Sequence, residues 1–387
     1  MQRQNDMSKL KEIFFLPRYQ RIIIILCWVI STLLYLKLFG IVTNHEAEKY
    51  INEAHYLLSH GSFSAPRYLF YSITVLLLAL SFKLGLGVTG AFVMQALINL
   101  GAFLFFHKAL LTLYRSNITP LLIILYLLFF YPYQYWVVFL FTESVYFSFI
   151  LMLFAAIVLY RPDNLKNILI AGGILILATL SRPLGILFWG STIACIFYIL
   201  PVKWKKVAAI TIVPLLIIGY FSINIIFTTI PDWHITQAFE QGSIICDLPG
   251  EKLAQPLDLA PPGNPVYELF YFLVHNPKQF LHFAGKKLVY FFFMSRPFYN
   301  AAHNYFLLAN TIAIYLLAII GFFAKKTSVK KHVIVFTCTA ILLYAVTIMI
   351  QCDDYLNRFV LSIYPLFVIL AARGAEQLSG FLFKNKQ

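Results

Sequence analysis

The sequence predicts an all-α polytopic membrane protein with about ten transmembrane helices. Hydrophobic residues make up 60% of the 387 residues, and charged residues only 12%. Several uninterrupted apolar runs reach the roughly 20 residues that a helix needs to cross a bilayer. These runs are too long and too uniformly apolar for the strands of a membrane barrel, so we expect helices throughout.

The predicted spans follow one another along a single membrane-embedded domain that covers residues 1–387. The basic N-terminal segment before Ile22 resembles the start of a signal peptide, but no small-residue cleavage site follows it, so we predict an uncleaved first span. The ten spans are expected at 22–40, 88–106, 117–135, 142–160, 166–181, 184–201, 207–228, 304–324, 332–350 and 358–375.

The distribution of charge assigns the apolar run from Tyr68 to Leu86 to the outer surface. If the run stays outside, 19 of the 30 Lys and Arg residues lie in cytoplasmic segments and 11 lie outside, whereas the split is 13 to 17 if it crosses. Cytoplasmic segments usually carry the excess of Lys and Arg. We therefore expect an interfacial or re-entrant helix here, both termini in the cytoplasm, and two large outer loops at about 41–87 and 229–303.

The net charge of +14 does not indicate a nucleic-acid-binding protein. Lys and Arg occur in short clusters between apolar runs and not on one folded basic face. Loops on the cytoplasmic side of the cytoplasmic (inner) membrane explain these clusters better. No nucleic-acid partner is expected.

The second outer loop is expected to contain helices that lie on the membrane surface. Prolines punctuate residues 255–265, and an apolar stretch broken by polar residues then runs from Tyr267 to Tyr290. This pattern predicts one or two amphipathic helices, which end before Arg296 and Pro297.

The first outer loop concentrates acids, histidines and tyrosines between residues 43 and 61. Glu46 and Tyr50 are four residues apart, so they share one face if the segment is a helix. The simpler explanation for Glu46, Glu48 and Glu53 is a solvated loop beside a span. Alternatively, a carboxylate roofed by the following membrane-hugging helix acts as a general base on an acceptor hydroxyl, and Glu46 is our candidate.

Basic residues near the predicted outer ends of spans are candidates for binding phosphate. Arg182 and Arg358 are either anchors whose side chains reach the interface or ligands that grip a phosphate, since guanidinium matches phosphate bidentately. Lys83, Lys286 and Arg296 are further candidates, for which contact with lipid headgroups is the alternative.

Two acidic motifs have explanations that need no ligand. Thr142 is a predicted N-cap that places Glu143 in the first helical turn, or Glu143 binds the sugar or the acceptor. Asp353 and Asp354 either bind a divalent cation or form an ion pair with Arg358. We assign no metal site to these residues, nor to Asp232 and His234.

Two of the five cysteines lie in outer segments. Cys27, Cys195 and Cys338 fall inside apolar runs, where a thiol behaves as a small hydrophobic group. Cys246 and Cys352 lie on the same oxidising side under the predicted topology. Either they form a disulfide or both remain thiols, because the sequence does not show whether their α-carbons come within about 4.4–6.8 Å of each other.

The first outer loop reads Glu46-x-x-x-Tyr50-x-x-x-Ala54-x-x-Leu57-Leu58-x-x-Gly61, followed by Pro66 and an apolar helix that ends Phe82-Lys83-Leu84-Gly85. This pattern resembles the first outer loop of the type C glycosyltransferases, which include the protein O-mannosyltransferases and the bacterial lipid A aminoarabinose transferases. The likeness continues in Thr142-Glu143-Ser144, Ala171–Gly173 to Ser181-Arg182-Pro183, Asn276-Pro277 to Lys287, and Asn357-Arg358-Phe359 through Pro365.

The resemblance implies an enzyme that moves a sugar from a polyprenyl-phosphate donor to a lipid, glycan or protein acceptor, with inversion of the sugar carbon. Members of the superfamily usually carry a catalytic Asp four residues before the Tyr. Glu46 holds that position here by spacing, although an insertion would make His45 the counterpart. We thus expect Glu46 to take the acceptor proton. The donor phosphate would contact Arg182, Arg358 and Lys83, and the substrates Tyr50, Glu143 and Arg296.

Two other classes of protein remain open. An O-antigen polymerase or ligase would depend on outer-loop arginines and would tolerate Glu46→Gln. A non-enzymatic transporter of lipid-linked sugars is disfavoured, because the sequence shows no repeated halves and no charged residue near the midpoint of a span.

Overall fold

The protein is built from helices. The computed structural model describes residues 16–114, 116–160, 165–229, 236–253, 255–261, 263–324 and 329–384. Among these residues there is no strand, and only two isolated β-bridges occur, Val42 with Phe139 and Ile245 with Asp353. The predicted all-α class is confirmed. Asp232 and His234 lie outside the described residues.

The helices are, in chain order, α1 (Pro17–Phe39), α2 (Glu46–His60), α3 (Ser72–Lys83), α4 (Gly87–Leu113), α5 (Ile118–Phe129), α6 (Tyr131–Gln134), α7 (Glu143–Val158), α8 (Leu165–Ser181), α9 (Leu187–Ile199), α10 (Val202–Thr229), α11 (Gln237–Glu240), α12 (Pro265–His275), α13 (Pro277–Phe293), α14 (Ala301–Phe323), α15 (Lys331–Ile350) and α16 (Arg358–Lys384). Short 3-10 helices occupy Pro66–Tyr71, Tyr135–Val138 and Pro183–Ile186.

Five described helices are long and apolar enough to cross a membrane: α1, α4, α14, α15 and the part of α16 from Arg358 to Ser379. A sixth span results if α5 and the bent segment that follows it are counted together. The apolar helices α7, α8 and α9 are shorter. The structure therefore indicates a membrane protein, and the number of ten spans stays a prediction.

The chain divides into two compact units. The first consists of Met1–Trp189, Leu316–Ile334 and Tyr364–Gln387, and the second of Gly190–Tyr315 and Val335–Ile363. Each unit carries some of the residues that the sequence singles out for function.

A buried polar network joins three helices of the first unit to the segment after α5. Trp28 Nε1 and Gln134 Nε2 both donate to Asn99 Oδ1 at 2.9 Å, and Asn99 Nδ2 donates to Ser148 Oγ at 3.3 Å. Polar groups buried away from water need such partners. The network therefore fixes how these elements face one another.

The predicted third span is broken. α5 ends at Phe129, and the chain turns by 73° into Tyr131–Val138. Gln95 of α4 holds the new direction, because its Nε2 donates to Val137 O at 2.8 Å and to Phe139 O at 2.9 Å. The aromatic side chains of Tyr133, Tyr135 and Trp136 in this bent segment are buried.

The predicted first outer loop folds into a helical hairpin. α2 ends at Gly61, whose φ of +73° suits a left-handed C-cap. Buried Glu53 accepts hydrogen bonds from Ser64 N at 2.7 Å and from Ser64 Oγ, which closes the turn before Pro66. α3 has 12 residues and is thus about 18 Å long, shorter than the roughly 30 Å hydrocarbon core.

The predicted second outer loop contains two consecutive apolar helices in the stretch where the sequence predicts one or two. α12 and α13 meet at Asn276 and Pro277. The Asn276 side chain pairs with the backbone of Asp258, donating to its O at 2.7 Å and accepting from its N at 3.0 Å. The same region buries Phe239, Phe272 and Phe283 in one cluster.

Cys246 and Cys352 form a disulfide within the second unit, with α-carbons 5.2 Å apart. The backbone strengthens the connection, since Cys246 N donates to Asp353 O and Asp353 N to Ile244 O, both at 2.8 Å. The paired alternative is therefore the one that the structure contains. The disulfide ties the predicted second outer loop to the residues just before α16.

Candidate functional site

The candidate base Glu46 is the first residue of α2, in the first unit. The hydroxyl of Tyr50 donates to Glu46 Oε1 at 2.8 Å, as expected for residues four apart on one helical face. Tyr50 is completely buried, whereas 21% of the Glu46 side chain is exposed. A buried hydroxyl thus orients a carboxylate that solvent can reach.

Lys49 completes this contact, although the sequence pattern did not single it out. Its Nζ lies 2.9 Å from the same Glu46 Oε1. It also lies 4.9 Å from the centroid of the Tyr50 ring and 5.6 Å from that of Tyr71, within the range of cation–π attraction. The i, i+3 spacing of Glu46 and Lys49 is the signal that would have predicted the pair.

Glu143 and Arg182 form an ion pair, whereas the sequence predicts a different ligand for each of them. Arg182 Nη1 donates to Glu143 Oε1, and both side chains are buried. Thr142 is the N-cap residue of α7 as predicted, but its hydroxyl makes no capping hydrogen bond. A buried ion pair of this kind depends on both partners, because removing one leaves an uncompensated charge.

Tyr50 lies close enough to both Glu46 and Glu143 to interact with them electrostatically. Burial raises the pKa of Tyr50 well above its usual value, and the nearby Glu46, Tyr71 and Glu143 raise it further. The phenol therefore stays protonated and keeps donating to Glu46. The first unit thus brings together Glu46, Lys49, Tyr50, Glu143 and Arg182.

Lys83 is the exposed last residue of α3. Within the described part of the chain, no hydrogen bond or ion pair joins it to Glu46 or Arg182. Its assignment to the donor phosphate stays a prediction.

The second unit contains two ion pairs, each between an arginine and one of two adjacent aspartates. Arg358 Nε and Nη2 both lie 2.8 Å from Asp354 Oδ2, and Arg296 Nη2 lies 2.7 Å from Asp353 Oδ2. Of the two explanations for the aspartates, the ion pairs are present. Among the described residues, no group of three or more His, Cys, Asp or Glu side chains is arranged to hold a metal ion.

Arg296 and Arg358 differ in how the protein uses them. The Arg296 side chain is fully buried, and its nitrogens also donate to four backbone carbonyls, those of Tyr290, Ser295, Asp354 and Tyr355. Arg358 keeps 15% of its side chain exposed. Arg358 is thus better placed to meet a ligand, and Arg296 would have to give up internal contacts to do so.

Both Glu46 and Arg358 directly follow a residue with positive φ. His45 has φ +56° and Asn357 has φ +63°. Residues other than glycine rarely adopt a positive φ. Such backbone conformations cost free energy and cluster at functional sites. The two positive φ angles therefore mark Glu46 and Arg358, the first residues of α2 and α16, as candidate functional residues.

Comparisons of the chain with protein-family models, curated proteins and solved structures find no match.

Proposed function

We propose that this protein is a membrane glycosyltransferase of the type C kind, which moves a sugar from a polyprenyl-phosphate donor to a lipid, glycan or protein acceptor. The observation that carries the proposal is the arrangement around Glu46. The partly exposed Glu46 carboxylate contacts Tyr50 Oη and Lys49 Nζ through one oxygen. Glu46 is the first residue of α2, the helix that follows the first predicted span.

The proposed reaction is a single displacement with inversion. The acceptor hydroxyl gives its proton to Glu46 while its oxygen forms a bond to the anomeric carbon of the sugar. The bond from that carbon to the phosphate oxygen breaks, and its electron pair stays on the polyprenyl phosphate. Glu46 is the general base, a role that typically contributes about 10²–10⁴-fold to the rate.

Arginines stabilise the departing phosphate in this proposal. Arg358 is supported by its partial exposure and by Asp354, which holds its guanidinium in one orientation. Arg182 is tied to Glu143, so we assign to it the electrostatic stabilisation of charge that develops on the donor. Lys83 is a further phosphate ligand, and Tyr50, Glu143 and Arg296 are substrate-side residues in the same scheme.

We place the reaction on the outer face of the cytoplasmic membrane, with ten spans and both termini in the cytoplasm. The charge distribution supports this orientation. The Cys246–Cys352 disulfide supports it independently, because disulfides persist mainly in oxidising compartments outside the cytosol.

The proposal is tested by replacing Glu46 with Gln and analysing cell-envelope glycans by mass spectrometry. Cells that lack the protein identify the missing product. Glu46→Gln should lose that product to the same extent, because an amide does not accept the proton. Glu48→Gln is the matched control: Glu48 lies two residues away, is exposed and undergoes the same change of charge, so this variant should keep the product.

Protein abundance in the membrane is measured for each variant, so that loss of product is separated from loss of protein. Normal product formation by Glu46→Gln would exclude Glu46 as the base. If product were then lost in Arg358→Ala, a polymerase or ligase that depends on arginines would be favoured instead.

A further inference from the structure

We propose that the N-terminus of α7 binds the phosphodiester of the donor, through the hydroxyls of Thr142 and Ser144, the first backbone N–H groups of the helix and the guanidinium of Arg182. This inference rests on the proposed function, and it adds a binding site for the donor phosphate in the first unit. It gives a role to two hydroxyl side chains that the proposed reaction does not otherwise use.

The hydroxyls of Thr142 and Ser144 are buried without a partner. Thr142 is 1% exposed and Ser144 is 2% exposed, and within the described part of the chain neither hydroxyl oxygen makes a hydrogen bond. A buried hydroxyl that makes no hydrogen bond costs free energy. Each such group in a folded protein needs an explanation, and a ligand that the hydroxyl contacts in the working protein is one.

The two hydroxyls stand at the end of a helix that attracts anions. α7 has 16 residues, and its first bond runs from Tyr146 N to Thr142 O at 2.9 Å. The N–H groups of Glu143, Ser144 and Val145 precede this bond and have no partner within the helix. A helix N-terminus carries a partial positive charge, and its N–H groups bind phosphate readily. The Thr142 side chain does not cap α7, so it does not compete with a phosphate for these groups.

The local balance of charge suits a singly charged phosphodiester. Arg182 Nη1 contacts Glu143 Oε1, so the buried carboxylate is already neutralised and a bound phosphodiester meets the positive end of the helix. Arg182 is 8% exposed, whereas Glu143 is fully buried. The guanidinium is thus the member of this pair that an approaching phosphate reaches first. Its five N–H groups allow it to serve a carboxylate and a phosphate together.

The start of α7 is tied to the segment that carries the proposed base. Val42 N donates to Val138 O at 2.9 Å, and Leu140 N donates to Val42 O at 3.1 Å. Glu46 begins α2 shortly after Val42, and Thr142 precedes α7 shortly after Leu140. The backbone therefore joins the segment that leads into the phosphate site to the segment that leads into the base.

The test measures binding of undecaprenyl methyl phosphate, a singly charged diester without a sugar, to the purified full chain in a nonionic detergent by calorimetric titration. Thr142→Val should weaken binding by about tenfold or more, the effect of losing a hydrogen bond to a charged group. Ser144→Ala should weaken binding to a similar extent. Thr142→Ser keeps the hydroxyl and should bind like the wild type.

Thermal unfolding without the probe separates a binding hydroxyl from a structural one. Thr142→Val should raise Tm by about 2 °C, because it removes a buried hydroxyl that makes no hydrogen bond within the described residues. A hydroxyl that supports the helix end or holds a buried water would instead lower Tm when it is removed.

Thr32→Val in α1 is the matched control. Thr32 is 6% exposed, and its hydroxyl likewise makes no hydrogen bond in the part of the chain that the structure describes. The variant therefore undergoes the same change of side chain at a buried hydroxyl, away from the end of α7. It should gain stability as Thr142→Val does and bind the probe like the wild type.

Several results would overturn the inference: no binding by the wild type, wild-type affinity in Thr142→Val or in Ser144→Ala, a lower Tm in Thr142→Val, or an equal loss of binding in Thr32→Val. Phosphatidylglycerol is also a singly charged diester. If it bound as tightly and with the same dependence on Thr142, the site would be one for lipid headgroups and not for the donor. Failure of the proposed base is a separate outcome, because Glu46→Gln would then still form product in cells while Thr142→Val loses binding of the probe.

Discussion

Buried charged residues in this protein differ in how many hydrogen-bond and ion-pair partners offset the loss of hydration. Arg296 is buried with an aspartate and four backbone carbonyls around it. Lys287 of α13 is equally buried, but it lies 4.0 Å from the ring centroid of Phe239 and 3.5 Å from Ile350 O. Burial lowers the pKa of Lys287 to about 7. The lysine is therefore held at a cost in stability that the arginine avoids.

Lys287→Met should stabilise the protein, and more so at pH 6 than at pH 9. Below about pH 7 the folded protein must carry the buried charge. Between pH 7 and the ordinary lysine pKa of about 10.4 the unfolded chain binds more protons, so wild-type stability rises with pH. Thermal unfolding at the two pH values measures the difference. Lys278→Met, which replaces an exposed lysine of the same helix, should show no such dependence. An equal gain at both pH values for Lys287→Met would contradict the assignment.

At this scale the sequence predicts contacts within one helix better than contacts between helices. The Glu46–Tyr50 hydrogen bond follows from spacing alone. The Glu143–Arg182 pair joins residues 39 positions apart, so it depends on how α7 and α8 pack, which no local pattern encodes. The sequence does not single out Lys49, because a lysine in a polar segment is usually solvent-exposed and without a specific role.

Among the helices, α14 and α16 approach each other most tightly where both carry glycine. A Cβ atom on Gly321 would lie 1.9 Å from Leu370 O, and one on Gly374 would lie 2.0 Å from Leu317 O. Small residues let helix backbones come close and pack in a membrane, where no water drives association. The first unit depends on this contact.

Gly374→Ala should therefore destabilise the protein by roughly 1–3 kcal/mol, the usual cost of overpacking. The matched control is Gly285→Ala in α13, where an added Cβ meets nothing within 4 Å. That change should be neutral or stabilising by about 0.5–1 kcal/mol, since alanine suits a helix better than glycine. Thermal unfolding of both variants in detergent compares them, and a Gly374→Ala variant as stable as wild type would refute the close contact.

Helix positions were predictable because apolar runs are unbroken, but the break after Phe129 was not. Residues 131–138 remain apolar and aromatic, so composition alone continues the span to residue 135. The turn depends on Gln95, which is far away in sequence and satisfies the carbonyls of Val137 and Phe139. Such a contact becomes visible only once α4 has been placed.

For the molecule as a whole, the distribution of charged residues and the Cys246–Cys352 disulfide favour the same orientation in the membrane. The 12 acidic residues assigned to the outer side, against four inside, follow from the same topology as the 19-to-11 division of Lys and Arg. The disulfide joins two segments that this topology places outside. The predicted orientation is thus supported by two unrelated kinds of observation.

Labelling from outside with an impermeant thiol reagent tests the topology. In a background with Cys27, Cys195 and Cys338 changed to Ala, Ser62→Cys should react and Asn117→Cys should not, because α4 crosses between them while α3 stays on the outer side. Permeabilised cells confirm that both sites are reactive. Reaction of Asn117→Cys in intact cells would mean that α3 crosses as well.

The disulfide also sets an order for maturation. Cys246 leaves the ribosome 106 residues before Cys352, which at about 5–20 residues per second is a wait of about 5–20 s. Under the proposed orientation, the Cys246 thiol has no native partner during that time, because Cys27, Cys195 and Cys338 belong to apolar helices. The disulfide can form only after α15 has been synthesised, which makes its oxidation a late step in the maturation of the second unit.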